Sequence, residues 1–525
     1  MMPEFTLSTI DYVMISAYAL VVIVIGLFFA RREKNAEQYF LAGRRMTWPL
    51  IGISLFASNI SSTTLVGLSG NAYGQGIAVF NYEWMAAIVL VIIAAFFLPA
   101  YLRARVFTIP EYLERRFDRR SRYYFSALTL FLNIVVDTAG SLYAGGLVIQ
   151  LVFPQLPLWQ IIVALTLVAG IYTAAGGLAA VMYTDALQAV LLTTGACIIT
   201  WAAWQRIDGW EAVLAVTPPE QLSLILPADD TQLPWPGLVT GVFLIGFYFW
   251  GMNQFMVQRL LSARDLQHGQ RGALFAGLLK LSVLFIMVMP GLMARVLYPE
   301  LPNQDQVFPT LMFDLLPPGV LGLVLAGLLA ALMSSIDSTL NSASTLVTMD
   351  FVHTRAPGID SRKLMWIGRG VTVLFMLLAM AWAPQIATFS SLFNYLQQVL
   401  AYAVSPVVAV LVIGMFWRRA SAGAAIAALI AGLLGGILLF VVNVVWGLTD
   451  VHFLYIAPLL FVLSSVVLIV FSLRSEPVEG VEALMWRAGK QREPAPAQAV
   501  RWYSDFRVLS VALLALTALV VGMFA

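Results

Sequence analysis

The sequence predicts an all-α polytopic membrane protein, and three observations carry that prediction. Of the 525 residues, 60% are hydrophobic and 11% charged, where a soluble domain has about 45–50% and about 25%. Mean hydropathy is +0.86. About fourteen apolar runs reach the ~20 residues that a helix needs to cross the hydrocarbon core. The net charge of +2 excludes a polyanion-binding chain, which would carry a strongly basic domain or stripe. Cys197, the single cysteine, allows no intrachain disulfide and no cysteine-based metal site. Residues 1–10 lack a basic n-region and a small-residue cleavage site, so no removable signal peptide is expected.

The expected spans are 10–30, 48–70, 80–100, 122–152, 158–176, 184–206, 236–259, 271–296, 318–349, 363–383, 387–417, 421–446, 452–473 and 505–525. Lys and Arg bound them asymmetrically. One set of alternating loops holds Arg31, Arg32, Lys34, Arg44 and Arg45, then Arg103 to Arg122, Arg259 to Arg271, Arg355 to Lys363, Arg418, Arg419 and the 474–504 loop. Only Arg206, Lys280 and Arg295 depart from that side. Cytoplasmic loops collect basic residues, so both termini are expected outside a plasma (inner) membrane crossed many times.

Two spans are unlike lipid-facing helices. In SLFASNISSTT, Ser54 to Thr64, seven of eleven residues are Ser, Thr or Asn. FYFWGMNQ places Gly251, Asn253 and Gln254 in a second span. Irregular backbone at membrane depth is tolerated where it lines a cavity, and paired interruptions in two halves point to a transporter's binding site. Setting the first helix aside makes these helices one and six of a ten-helix core, the layout of two inverted five-helix repeats. The expected organisation is an extra helix in 1–45, repeats in 46–206 and 236–417, and three C-terminal helices in 418–525.

Ionisable residues inside a bilayer cost about 2.5–3.5 kcal/mol each on insertion scales and are functional candidates. Five stand here: Glu83, Asp137, Asp185, Lys280 and Asp337. Four anions and one cation suggest a path for a cation and a polar solute. In LLAALMSSIDSTLNSAS, Ala331, Ser334 and Ser335 share one helical face, and Ser334, Asp337 and Ser338 repeat the spacing one turn on. Hydroxyls and free carbonyls can replace the water shell of a hard cation. The interrupted 54–64 segment is the obvious carbonyl donor for the first set, and Asp185 is at a depth to join the second.

YEWMAAI from Tyr82, FTIPEYLERRF from Phe107, GGLAAVMYTDALQAV from Gly176, WGMNQFMVQR from Trp250 and SSIDSTLNSASTLVTMD from Ser334 together resemble the sodium/solute symporter family, its sodium/glucose (galactose) branch most of all. The resemblance implies a leucine-transporter-type fold and sodium-driven solute uptake. It also implies a main Na+ site at Ala57, Ile60, Ala331, Ser334 and Ser335, and a second at Asp185, Asp337 and Ser338. Asp337 stands where relatives more often have a small or hydroxyl residue.

Carried over the same way, the solute site comprises Asn59, Glu83, Lys280 and Gln397, with Thr64 and Asp137 at positions where this chain departs from the branch. Leu68, Tyr82 and Phe393 fall at outer-gate positions and Phe249 at the inner gate, where the galactose transporter has a tyrosine. Gly246 also replaces an asparagine of that transporter. The function expected is sodium-coupled import of a small polar solute, a sugar or polyol, by alternating access. A carboxylate, amino acid or cationic solute, or a non-transporting sensor, are the alternatives. An enzyme is not expected, because His268, His353 and His452 fall in or next to loops without ligand spacing. Partners are then Na+, the solute and lipid, without nucleic acid.

Overall fold

The computed structural model describes residues 7–30, 41–172, 178–353, 355–356, 358–359, 361–389, 391–475, 480–486 and 505–525. Among them the chain is almost wholly helical, because a backbone in lipid must satisfy its own N–H and C=O groups. In chain order the helices are α1 (Thr9–Ala30), α2 (Trp48–Asn59), α3 (Ser62–Gln75), α4 (Ile77–Ala104), α5 (Arg119–Val152), α6 (Leu158–Tyr172) and α7 (Leu178–Arg206). They continue as α8 (Trp235–Gly251), α9 (Gln254–Leu261), α10 (Leu266–Leu297), α11 (Val320–Thr345), α12 (Ser361–Trp382), α13 (Leu392–Ala403) and α14 (Ser405–Phe416). Three more close the chain: α15 (Ala422–Val445), α16 (Phe453–Leu473) and α17 (Phe506–Met523).

Eight of these helices are long and apolar enough to cross a membrane, and eleven spans result if each bent pair counts as one. Both interruptions expected from sequence are present. The α2/α3 pair bends by 59° and the α8/α9 pair by 53°. A third pair, α13/α14, bends by 52°. Pro406 lies just past that bend, and a proline disfavours helical backbone at the residue before it.

The broken helices sit at the centre. α2 packs against α10 and α7, α3 against the second half of α10, and α8 against α4. Small residues let these backbones close up: a Cβ on Gly52 would lie 2.6 Å from Phe275, and one on Gly272 the same distance from Ile51. Without a hydrophobic drive between helices in lipid, such close packing holds a bundle together. α1 lies against α11, where the Asp11 carboxylate accepts the Gly319 and Gly322 N–H groups at 2.7 and 2.8 Å. α15 and α16 pack on each other and on α14, and α17 covers α10. Leu434, Leu438, Val466, Val511 and Leu519 of these outer helices remain exposed, as suits a lipid-facing surface.

Candidate functional site

The first break follows from its composition. Short polar side chains compete for the backbone's hydrogen bonds, and here Ser58 Oγ donates to the Ser54 carbonyl at 2.8 Å while the Thr64 hydroxyl donates to the Asn59 carbonyl. Ile60 N–H reaches back to Phe56 O at 2.9 Å, and Ser61 O accepts Thr64 and Leu65 N–H at 3.1 Å. The last turn of a helix leaves its carbonyls unpaired within the helix. Among the described residues, none donates to the carbonyls of Ala57 or Ile60. At the second break Tyr248 O accepts both Met252 and Asn253 N–H at 2.9 Å, and the Asn253 side chain caps α9 through Phe255 N–H at 3.3 Å.

Between the two breaks lies a cavity of about 160 Å³, similar to the roughly 150 Å³ void that accepts benzene in an engineered core. It holds one molecule of about six-membered-ring size. Tyr82, Tyr248, Phe249, Trp250, Phe255 and Phe393 form much of the apolar wall, and Asn59, Thr64, Glu83, Asp137, Lys280 and Gln397 contribute polar groups.

Those polar residues come from six helices, and the bundle brings three of them into direct contact. The Lys280 ammonium, on α10, forms an ion pair with Glu83 of α4 and donates to Asn59 Oδ1 of α2. Both charges are almost completely buried. The partner relieves each of the cost of an isolated charge, and removal of one would strand the other. Among the described residues, Gln397 Oε1 is buried without a hydrogen-bond donor, an acceptor ready for a solute hydroxyl. Asp137 sits in a π-helical stretch of α5, Asn133–Thr138, the kind of bulge common at functional sites.

Ala57, Ala331 and Ser335 line the same cavity. The Ser335 hydroxyl has no partner among the described residues, so this end offers oxygens of the kind a hard cation takes. The side chains of Ser334, Asp337 and Ser338 lie outside those described. Ile60 is 1% exposed, and only its backbone is available to an ion.

Asp185, expected at a second sodium site, accepts Arg259 Nη2 at its Oδ2 at 2.7 Å, and the Ser58 and Ser54 hydroxyls approach the same oxygen at 3.2 and 3.3 Å. Arg259 Nε also donates to Ser54 Oγ at 2.9 Å, so one buried cluster ties α2, α7 and α9. Leu68, expected at the outer gate, is fully buried in the core and is not among the residues lining the cavity. Tyr82 and Phe393, both on the cavity wall, meet edge to face with ring centroids 4.9 Å apart. Phe249 contacts Trp250 and Phe255 with centroids 5.2 and 5.9 Å apart.

The sodium:solute symporter family model matches residues 39–432. The chain belongs to the sodium:solute symporter family. Sodium/glucose cotransporter 1 of Oryctolagus cuniculus is 35% identical over 543 residues, covering 92% of this chain and 82% of its own. Sodium/myo-inositol cotransporter 2 of Mus musculus is 35% identical over 538 residues, covering 92% and 80%. Among solved structures, a substrate-bound, outward-open Na+-coupled sialic acid symporter superposes with a TM-score of 0.75 at 24% identity, covering 90% of this chain and 99% of that one. The nucleobase-cation-symport-1 family transporter Mhp1, in a closed conformation, gives 0.54 at 14% identity, covering 84% and 94%. This symporter has the leucine-transporter-type fold, and its family is one of transporters rather than enzymes.

Proposed function

We propose that the protein is a sodium-driven symporter that imports a sugar or polyol by alternating access. One observation carries the reading: the Asn59, Glu83 and Lys280 cluster and the free Gln397 acceptor share one cavity with Ala57, Ala331 and Ser335. Donors and acceptors that can read several hydroxyls thus adjoin oxygens suited to Na+. The relatives that carry glucose or myo-inositol support the same solute class.

In this reading Ala57, Ile60, Ala331, Ser334 and Ser335 hold the main Na+. Its binding ties the broken α2/α3 helix to α11 and favours the outward-open state. Solute then enters, Tyr82 and Phe393 close above it, and Phe249 bars the inner exit until Na+ leaves. The Arg259–Asp185 cluster holds the α9 half-helix shut against α2 and α7. A second Na+ at Asp185, Asp337 and Ser338 requires Arg259 to release Asp185 first. The topology that fits is fourteen spans with both termini outside, repeats in 46–206 and 236–417, an extra helix before them and three after.

Uptake of labelled sugars into liposomes holding the purified full chain tests the proposal. Accumulation should follow an imposed inward Na+ gradient and collapse when choline replaces Na+. Uptake indifferent to Na+ would sink it.

A further inference from the structure

Tyr82 and Glu83 stand side by side near the start of α4, one in ring contact with Phe393 and the other paired with Lys280. The residues on either side of them, Asn81 and Trp84, are three apart and so share one face of the helix. Neither is among the residues lining the cavity. Asn81 is completely buried, and both ends of its amide are used. Its Oδ1 accepts the Trp84 Nε1–H and its Nδ2 donates to the Leu224 carbonyl, each at 2.6 Å.

Leu224 belongs to the segment between α7 and α8, and that segment grips the start of α4 at a second point. Gly76, with a φ of +93°, joins α3 to α4, and a Cβ there would lie 2.2 Å from the Gln221 carbonyl oxygen. Leu224 in turn donates its own N–H to the Phe524 carbonyl at 2.7 Å, just past the end of α17. A continuous path of hydrogen bonds therefore leads from the end of α17 through Leu224 to Asn81, next to Tyr82 and Glu83. Asparagine is a poor helix former, and a buried amide is costly unless it is hydrogen-bonded. Filling space alone would call for an apolar side chain, like those of Val79 and Phe80 just before it.

We propose that Asn81 is a positioning residue for solute binding: through it the segment 219–224 and the end of α17 hold Tyr82 and Glu83 in register with Phe393 and Lys280. This rests on the sodium-symport reading and gives a part in it to two elements outside the cavity. Coupling between sites is reciprocal, so a solute held by Glu83 steadies the Leu224 N–H in return.

The test uses the purified full chain. Na+-driven uptake into liposomes is measured for labelled D-glucose, D-galactose and myo-inositol, and the best of the three serves as the probe. Asn81→Asp keeps the acceptor for Trp84 and removes the donor to Leu224, and the uncharged Asn81→Leu removes both. Each should raise the half-saturating sugar concentration at least about tenfold, the worth of one hydrogen bond to a charged group, while Na+ binding measured without sugar is unchanged. In the unmodified protein, adding the sugar in the presence of Na+ should slow amide hydrogen exchange across 219–226 at least about fivefold, the lower end of a typical coupling between sites. That readout needs no variant to fold. Sugar affinity intact in both variants, whatever their melting temperatures, overturns the proposal and confines Asn81 to packing. Exchange across 219–226 that ignores the sugar overturns it as well. Uptake of all three sugars without response to Na+ overturns the symport reading and this inference with it.

Discussion

Lys280 shows how one side chain organises the site. It reaches a carboxylate on α4 and an amide on α2 from α10, so three helices meet at one ammonium. Lys280→Ala should destabilise the protein by about 3–5 kcal/mol, because Glu83 is left buried and uncompensated. The paired replacement Glu83→Gln with Lys280→Met should restore most of the melting temperature in detergent while sugar uptake stays absent. Recovery of stability and uptake together would remove the pair from solute binding. At the proposed ion site, Ser335→Ala deletes a hydroxyl without enlarging the side chain, and we expect the apparent Na+ affinity to fall at least about tenfold, a change of about 1.4 kcal/mol. An unaltered sodium response would move the ion elsewhere. Of these residues, Glu83 and Lys280 were visible in sequence because ionisable groups stand out in apolar runs. Arg259 was not: a basic residue near a span's end reads as a topology marker, and nothing local reveals that it is buried against Asp185.

At the scale of elements, the end of the cavity that carries Tyr82 and Phe393 is held by a loop as well as by rings. The short helix Gln304–Gln306 packs on α3 so tightly that a Cβ on Gly70 would lie 2.5 Å from the Gln304 carbonyl oxygen. Asp305 Oδ2 accepts the Leu392 N–H at the start of α13, at 2.9 Å, one residue before Phe393. Asn71 Nδ2 donates to Asn394 Oδ1 at 3.2 Å beside it. Asp305 lies between the spans, and burial raises its carboxyl from 3.8 to about 7, with Tyr143 of α5 the neighbouring titratable group. A carboxyl raised in the packed state favours that state when protonated. Its contribution is complete below about 3.8 and is lost as pH rises through about 7. Amide hydrogen exchange at Leu392 to Asn394, corrected for the intrinsic rate, should therefore show protection falling between pH 5 and 8. Asp305→Asn keeps the acceptor and should flatten that dependence. At the opposite end, Arg259→Ala should free α9 and raise Na+-independent leak from preloaded liposomes. A leak equal to that of the unaltered protein would confine Arg259 to packing. The breaks in α2/α3 and α8/α9 were legible from dense hydroxyls and a Gly-Met-Asn-Gln run. The α13/α14 bend had only Pro406 as its signal.

For the whole molecule, the number of coupled ions sets the work done. One charge moving through 100 mV is worth about 2.3 kcal/mol, and a tenfold Na+ gradient adds about 1.4 kcal/mol. One ion per neutral solute therefore sustains a gradient of several hundredfold, and two ions square it. Since Arg259 occupies Asp185, we expect a single Na+ per solute, read as the ratio of labelled Na+ to labelled sugar entering liposomes. A ratio of two would require the Arg259–Asp185 pair to open during transport.

Membrane residence, the helical class, the position of two broken spans and the small set of charges at membrane depth are all written in the sequence. Each depends on the local solvent preference of about twenty consecutive residues or on hydroxyls competing with their own backbone. Which charge answers which was decided only by tertiary structure. Asn59 and Lys280 stand 221 residues apart, and Arg259 and Asp185 stand 74 apart. Electrostatic partnership depends on distance through space in a medium that screens weakly, and chain separation carries no information about that distance. The packing of α10 against α2 and α4 neutralises Glu83, and Arg259 reaching from α9 neutralises Asp185 of α7. The same packing leaves Asp137 facing the cavity without a partner among the described residues.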